Sequence, residues 1–116
     1  MSYLSFACRM LPVDQLLRCS LGLSRAELRL LKHLTSNKGE HDVASLSRQL
    51  KKDRTVVQRA LSGLFSKGVV RRRQINIDSG GYYFVYSSVP KQIIKEKIYT
   101  NLRGFNKAVE DAIEKW

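Results

Sequence analysis

This 116-residue sequence predicts an α+β fold that is mainly α. Three observations carry that expectation. Successive stretches of the first 67 residues repeat apolar side chains at helical spacing, two β-rich runs meet at Gly80-Gly81, and an amphipathic stretch follows Pro90. Helix, helix, helix and hairpin is the order of a winged helix-turn-helix, here with a two-stranded wing and a long C-terminal helix.

The helices are punctuated clearly. Pro12 suits a helix start, and PVDQLLRCSLG runs to Gly22, a natural stop. Ser24 and Glu27 form an S-x-x-E capping box, with Leu23 and Leu28 at the positions of a hydrophobic staple. The helix they open turns Leu28, Leu31 and Leu34 inward and ends in the turn-rich run SNKGE. After Asp42, VASLSRQLKK places Val43, Leu46 and Leu50 on one helical face. Lys51 to Asp53 make a tight turn, and Asp53 is the expected N-cap of the next helix.

That next helix, residues 54–67, separates two kinds of side chain. At ~100° per residue, Val56, Val57, Ala60, Leu61 and Leu64 share an inward arc with Phe65 at its edge. Arg54, Thr55, Gln58, Arg59, Ser62 and Ser66 share the opposite arc, where every side chain can reach a phosphate or a base edge. A lone arginine on a helix is ordinarily just solvated. Joint placement with Thr55 and Gln58 on one arc points to a shaped surface.

Charge supports that reading. The chain carries a formal net charge of +11, a balance that suits an anionic partner, nucleic acid first and a membrane surface second. Residues 48–73 hold nine basic side chains against the single acid Asp53, so most of the excess lies in one segment. No run approaches the roughly 20 apolar residues of a membrane span. The N-terminal stretch MSYLSFACRML lacks the features of a signal peptide, so the expected location is cytoplasmic. Cys8 and Cys19 have neither CxxC spacing nor a nearby histidine, so no metal is expected. They remain a candidate redox pair, weighed against two idle apolar thiols. His33 and His41 read as structural or incidental. No nucleophile, acid-base pair or phosphate loop is recognisable, so neither an enzyme nor a cofactor is expected.

Beyond Gly68, VVRRRQINI and YYFVYSS read as the two strands of the wing. Strand alternation sends Arg72 to the face opposite Arg71 and Arg73. Arg71 and Arg73 are therefore the expected phosphate contacts, and at least one of the three arginines should have a structural task. In the terminal helix, Ile98, Leu102, Phe105, Val109, Ala112 and Trp116 step by four and three residues, the spacing of a heptad seam. Such a face either folds back on its own domain or meets a partner, and a homodimer is the simpler expectation. Gly104 inside this helix costs about 1 kcal/mol relative to alanine, so packing must support it.

SRAELRLLKHL, VASLSRQLKKDRTVVQRALSGLFSKGVVRR and GGYYFVYSSVP together resemble the DNA-binding domain of TrmB-like transcriptional regulators, found mostly in archaea. The resemblance covers roughly residues 20–95 and rests on D-R-T-x-V-x-R-x-L, K-G-V-V-x-R and V-Y-x-x-V-P. MarR-type regulators are near neighbours, but their wing usually carries an acid two residues before an arginine, and DSGGYY does not. The resemblance implies a regulator that binds double-stranded DNA. Sugar-responsive members have a large effector domain that this sequence does not continue into, so a sugar is not implied and the effector stays unknown. The expected organisation is an N-terminal segment and helix over 1–22, the winged helix-turn-helix over 23–90, and a dimerisation helix over 91–116. The competing reading is a winged helix that contacts proteins inside a larger transcription or RNA-handling assembly.

Overall fold

A computed structural model describes the backbone of residues 3–6 and 9–116, with side chains from residue 10 onward. Two short strands, β1 (Tyr3–Phe6) and β2 (Arg9–Pro12), pair antiparallel ahead of helix α1 (Val13–Leu21). Helix α2 spans Arg25–Ser36, strand β3 His41–Asp42, helix α3 Val43–Leu50 and helix α4 Arg54–Ser66. The wing is β4 (Val70–Asn76) and β5 (Tyr82–Ser88), and helix α5 runs Lys91–Glu114. The fold is thus the expected α+β winged helix-turn-helix. Its sheet has three strands, ordered β3-β5-β4, because His41 and Asp42 pair with Tyr86 and Val85.

Local chemistry sets the helix ends. Gly22 is left-handed (φ 68°), and the amides of Gly22 and Leu23 return to the carbonyls of Cys19 and Arg18. Asp42 caps α3 by accepting from the Ser45 amide at 2.7 Å, a bond that leads the influences holding its carboxyl below the usual aspartate range. Lys51 turns the chain at φ 55° between α3 and α4. Asp53 is the N-cap of α4 as expected, but its side chain makes no capping hydrogen bond. The wing turns through Gly80 and Gly81, both at positive φ.

The core gathers Leu30, Leu31 and Leu34 of α2, Leu46 of α3, Val57, Ala60, Leu61 and Leu64 of α4, and Tyr86 of the wing. Two expected inward residues lie at its rim: Val56 and Phe65 are each 40% exposed. They sit at opposite margins of the inward arc of α4, at ~100° per residue about half a turn apart. The boundary expected at residue 90 is no break in packing either. Ile94 is buried in the core, Ile98 packs against it, and the Asn101 side chain donates to the Ser20 carbonyl at 2.7 Å.

One ionic contact joins α2 to α4. The capping box forms as read: Glu27 N donates to Ser24 Oγ at 3.1 Å, and Ser24 N donates to Glu27 Oε1 at 2.8 Å. The same carboxylate receives Lys67 Nζ at 2.9 and 3.0 Å while remaining only 8% exposed. It lies where a Cβ on Gly63 would have to be, so the glycine lets the two helices close over it. Burial alone would push the Glu27 pKa up. The Ser24 amide, the Lys67 ammonium and the Ser24 hydroxyl outweigh burial and hold it below its ordinary value.

Gly63→Ala gains helix propensity, about 1 kcal/mol, yet should lower stability by about 1–3 kcal/mol because it displaces this carboxylate. Equilibrium denaturation measures the difference. A depressed folded pKa contributes stability above the unfolded value and loses it as pH falls. Wild-type stability should therefore decline as pH drops below 4.5, and Glu27→Gln should flatten that decline in denaturation series at stepped pH.

Candidate nucleic-acid interface

Helix α4 is the centre of the candidate site. Arg54, Thr55, Gln58, Arg59 and Ser62 are all exposed on its outer face, as their spacing requires once Val57, Ala60, Leu61 and Leu64 are buried. No acid shares that face beyond Asp53 at its start. Gln58 leans toward the wing, its Nε2 a weak 3.5 Å from the hydroxyl of buried Tyr86. The positive charges of Arg48 and Arg54 also reach Asp42, which ties the first turn of α4 electrostatically to the cap of α3.

On the wing, alternation separates the three arginines as expected. Arg72 lies on the α4 side, with its guanidinium 4.2 Å from the Phe65 ring centroid and 4.4 Å from that of Phe84. It is the arginine with the structural task, stacking the end of α4 onto the hairpin. Arg71 and Arg73 lie on the other face, paired across the ladder with Ser87 and Val85. Arg73 is not free: it donates to Glu40 through Nε at 2.8 Å and Nη2 at 2.6 Å. That hydrogen-bonded pairing lowers the Glu40 pKa and raises that of Arg73. Arg71 has no ion-pair partner among the described residues.

Three cationic residues that the sequence did not single out flank α4 on the side away from the wing. Arg25, Arg29 and Lys52 surround a notch floored by Leu30, Leu50, Val56, Val57 and Ala60. Arg25 and Arg29 are one helical turn apart on α2, a spacing visible in the sequence. Their nearness to α4 is visible only in the fold.

The seam residues divide. Ile98 packs on its own domain and Leu102 is half-buried, whereas Phe105 is 69% exposed, and Val109, Ala112 and Trp116 are also exposed. Cys19 carries a free, exposed thiol, and Cys8 lies outside the described residues. Among the described residues no cluster of His, Cys, Asp or Glu could hold a metal, and no helix is long and apolar enough to cross a membrane.

Comparison with known proteins follows the same lines. The family model described as sugar-specific transcriptional regulator TrmB matches residues 17–92. A Methanocaldococcus jannaschii protein, MJ1503, is 32% identical over 108 residues, covering 90% of this chain and 81% of that one. A Methanosarcina mazei structure described as a possible transcriptional regulator superposes with a TM-score of 0.93 at 28% identity, covering 99% and 97% of the two chains. The ST1889 protein of Sulfolobus tokodaii shares the fold, with a TM-score of 0.71 at 16% identity over 83% of this chain and 93% of that one.

Since Arg72 bridges two aromatic rings, Arg72→Ala should lower the melting temperature, at a cost of about 1 kcal/mol. Arg71→Ala, with no ion-pair partner among the described residues, should leave the melting temperature unchanged. Thermal denaturation of the two variants side by side separates them.

Proposed function

The chain belongs to the TrmB family of transcriptional regulators, and from that premise we propose that it is a homodimeric regulator that recognises specific sequences in double-stranded DNA. It is a DNA-binding regulator and not an enzyme; the dimer and the sequence preference are the steps proposed here. The observation that carries the reading is the outer face of α4, where Arg54, Thr55, Gln58, Arg59 and Ser62 stand exposed together with no acid among them. A helix of this length and chemistry fits the major groove, where arginine and glutamine can each make two hydrogen bonds to one base.

The wing would then run along the neighbouring backbone. Arg71 could meet a phosphate directly. Arg73 could do so by exchanging Glu40 for a phosphate, an exchange that costs little because both partners are exposed and screened by solvent. Arg25, Arg29 and Lys52 would face the backbone on the other side of the groove.

The dimer reading rests on the outer half of α5. Phe105, Val109, Ala112 and Trp116 continue a heptad face past the point where the domain's own core ends, and Leu102 lies at the transition. A second copy would cover them. Two recognition helices related by a twofold axis would read half-sites about one helical turn, ~34 Å, apart, so the preferred site should be an inverted repeat.

Arg59→Ala and Gln58→Ala should each cost roughly 1–3 kcal/mol of binding and relax preference at particular bases. Arg71→Ala should instead weaken binding to every duplex alike and reduce the salt slope by about 1 per half-site. Affinity measured against salt on selected and scrambled duplexes decides this. Equal losses from all three would describe a nonspecific basic surface, and no loss would favour the protein-contact reading. Separately, Phe105→Asp with Val109→Asp should yield a folded monomer with weakened duplex binding, checked by light scattering at micromolar concentration. A wild-type chain already monomeric there would refute the dimer.

A further inference from the structure

On the face of the wing turned away from α4, a cleft of about 520 Å³ opens between the end of α2, the base of the hairpin and the start of α5. Its polar lining comes from three separate parts of the chain: Thr35 and Lys38 from α2 and the loop after it, Arg71, Ser87 and Ser88 from the hairpin, and Lys91 from α5. No acid lines it. The nearest acid in sequence, Glu40, is already held by Arg73 through two hydrogen bonds. Lys38, Arg71 and Lys91 therefore face the cleft without a carboxylate partner among the described residues. Ser87 stands directly across the ladder from Arg71, on the same face of the hairpin.

We propose that this cleft is a binding site for a small phosphorylated ligand. A phosphoryl group offers several anionic oxygens at once, which suits one planar guanidinium, two ammonium groups and the Ser87 hydroxyl around a single space. The volume lies within the roughly 300–1,000 Å³ typical of small-ligand sites, so there is room for an organic moiety beyond the phosphate. Position gives the ligand a consequence, which rests on the DNA-binding reading above. Arg71 is shared between the cleft and the proposed backbone contact, so an anion held in the cleft withdraws that arginine from DNA. By linkage, the ligand must lower duplex affinity by the same factor by which duplex lowers ligand affinity.

The test uses the full chain, with inorganic pyrophosphate as probe and ionic strength held constant with sodium chloride. Titration calorimetry should show one saturable site per protomer. Lys38→Ala combined with Lys91→Ala should weaken it at least tenfold, while Arg25→Ala with Arg29→Ala, at the other end of α2, should not. Both pairs are exposed, and circular dichroism checks that they fold. Saturating pyrophosphate should lower wild-type duplex affinity several-fold and leave that of the Lys38/Lys91 variant unchanged. No saturable binding, or equal weakening by both pairs, overturns the site. If the Lys38/Lys91 variant loses as much duplex affinity without pyrophosphate as Arg59→Ala does, the cleft's phosphate is that of the DNA backbone, and the small-ligand proposal falls. Pyrophosphate binding with no duplex binding would uphold the site and reject the DNA-binding reading.

Discussion

The carboxylate of Glu27 fixes how α4 is held, and with it everything α4 presents to solvent. This one side chain closes the capping box at the start of α2, receives Lys67 from just beyond α4, and occupies the space over Gly63. A group so buried would ordinarily be costly as an anion. Here its oxygens are taken up by an amide and an ammonium, so the charge is satisfied and becomes a positional constraint on two helices at once. Removing any one member of the set leaves the others mismatched, since the glycine has no purpose without the carboxylate and the carboxylate has no room without the glycine.

At the other margin of α4 the brace is aromatic. Arg72 lies between Phe65 and Phe84, and Tyr86 fills the core beneath Gln58 with its hydroxyl. One end of the brace is ionic and buried, the other stacked and solvent-facing. Between them the helix has little freedom to roll, and rolling by one residue would replace Thr55 and Gln58 on the outer face with Val56 and Gly63. Preorganisation of this kind limits what ordering the interface would cost on binding.

Features read easily from the sequence were those set by residues close together along it. The Ser24–Glu27 box, the stop at Gly22, the Gly80-Gly81 turn and the two arcs of α4 depend on spacings of a few residues, and all appear in the fold, save that Val56 and Phe65 are exposed at the rim of the inward arc. What escaped was nonlocal. Strand β3 is two residues long and exists only because β5 lies beside it, and the β1–β2 hairpin has no glycine or asparagine turn to announce it. Glu40 meets Arg73 across 33 positions and Lys67 meets Glu27 across 40. Strand alternation could show that Arg72 differs from its neighbours. It could not show that two aromatic rings would be waiting, nor that Arg73 would already have an acid.

Those long-range pairings change the meaning of the charge. The basic run from Arg48 to Arg73 looks uniform as sequence, yet its members do different things. Lys67 neutralises a buried acid, Arg72 holds two elements together and Arg73 is paired at the surface. Counterion release counts only the cations that exchange water and salt for phosphate. Lys67 has no phosphate to offer itself to without unmaking the fold, and Arg72 would give up both rings to reach one. The charge available to a polyanion is therefore smaller than the composition implies, and it is arranged in bands: Arg54 and Arg59 on α4, Arg25, Arg29 and Lys52 beside it, and Arg71 on the wing. A diffuse basic coat would hold any polyanion in any orientation. Separate bands around a fixed helix favour the orientation in which the outer face of α4 meets the groove, so the packing that removes charge from the surface also gives direction to what remains.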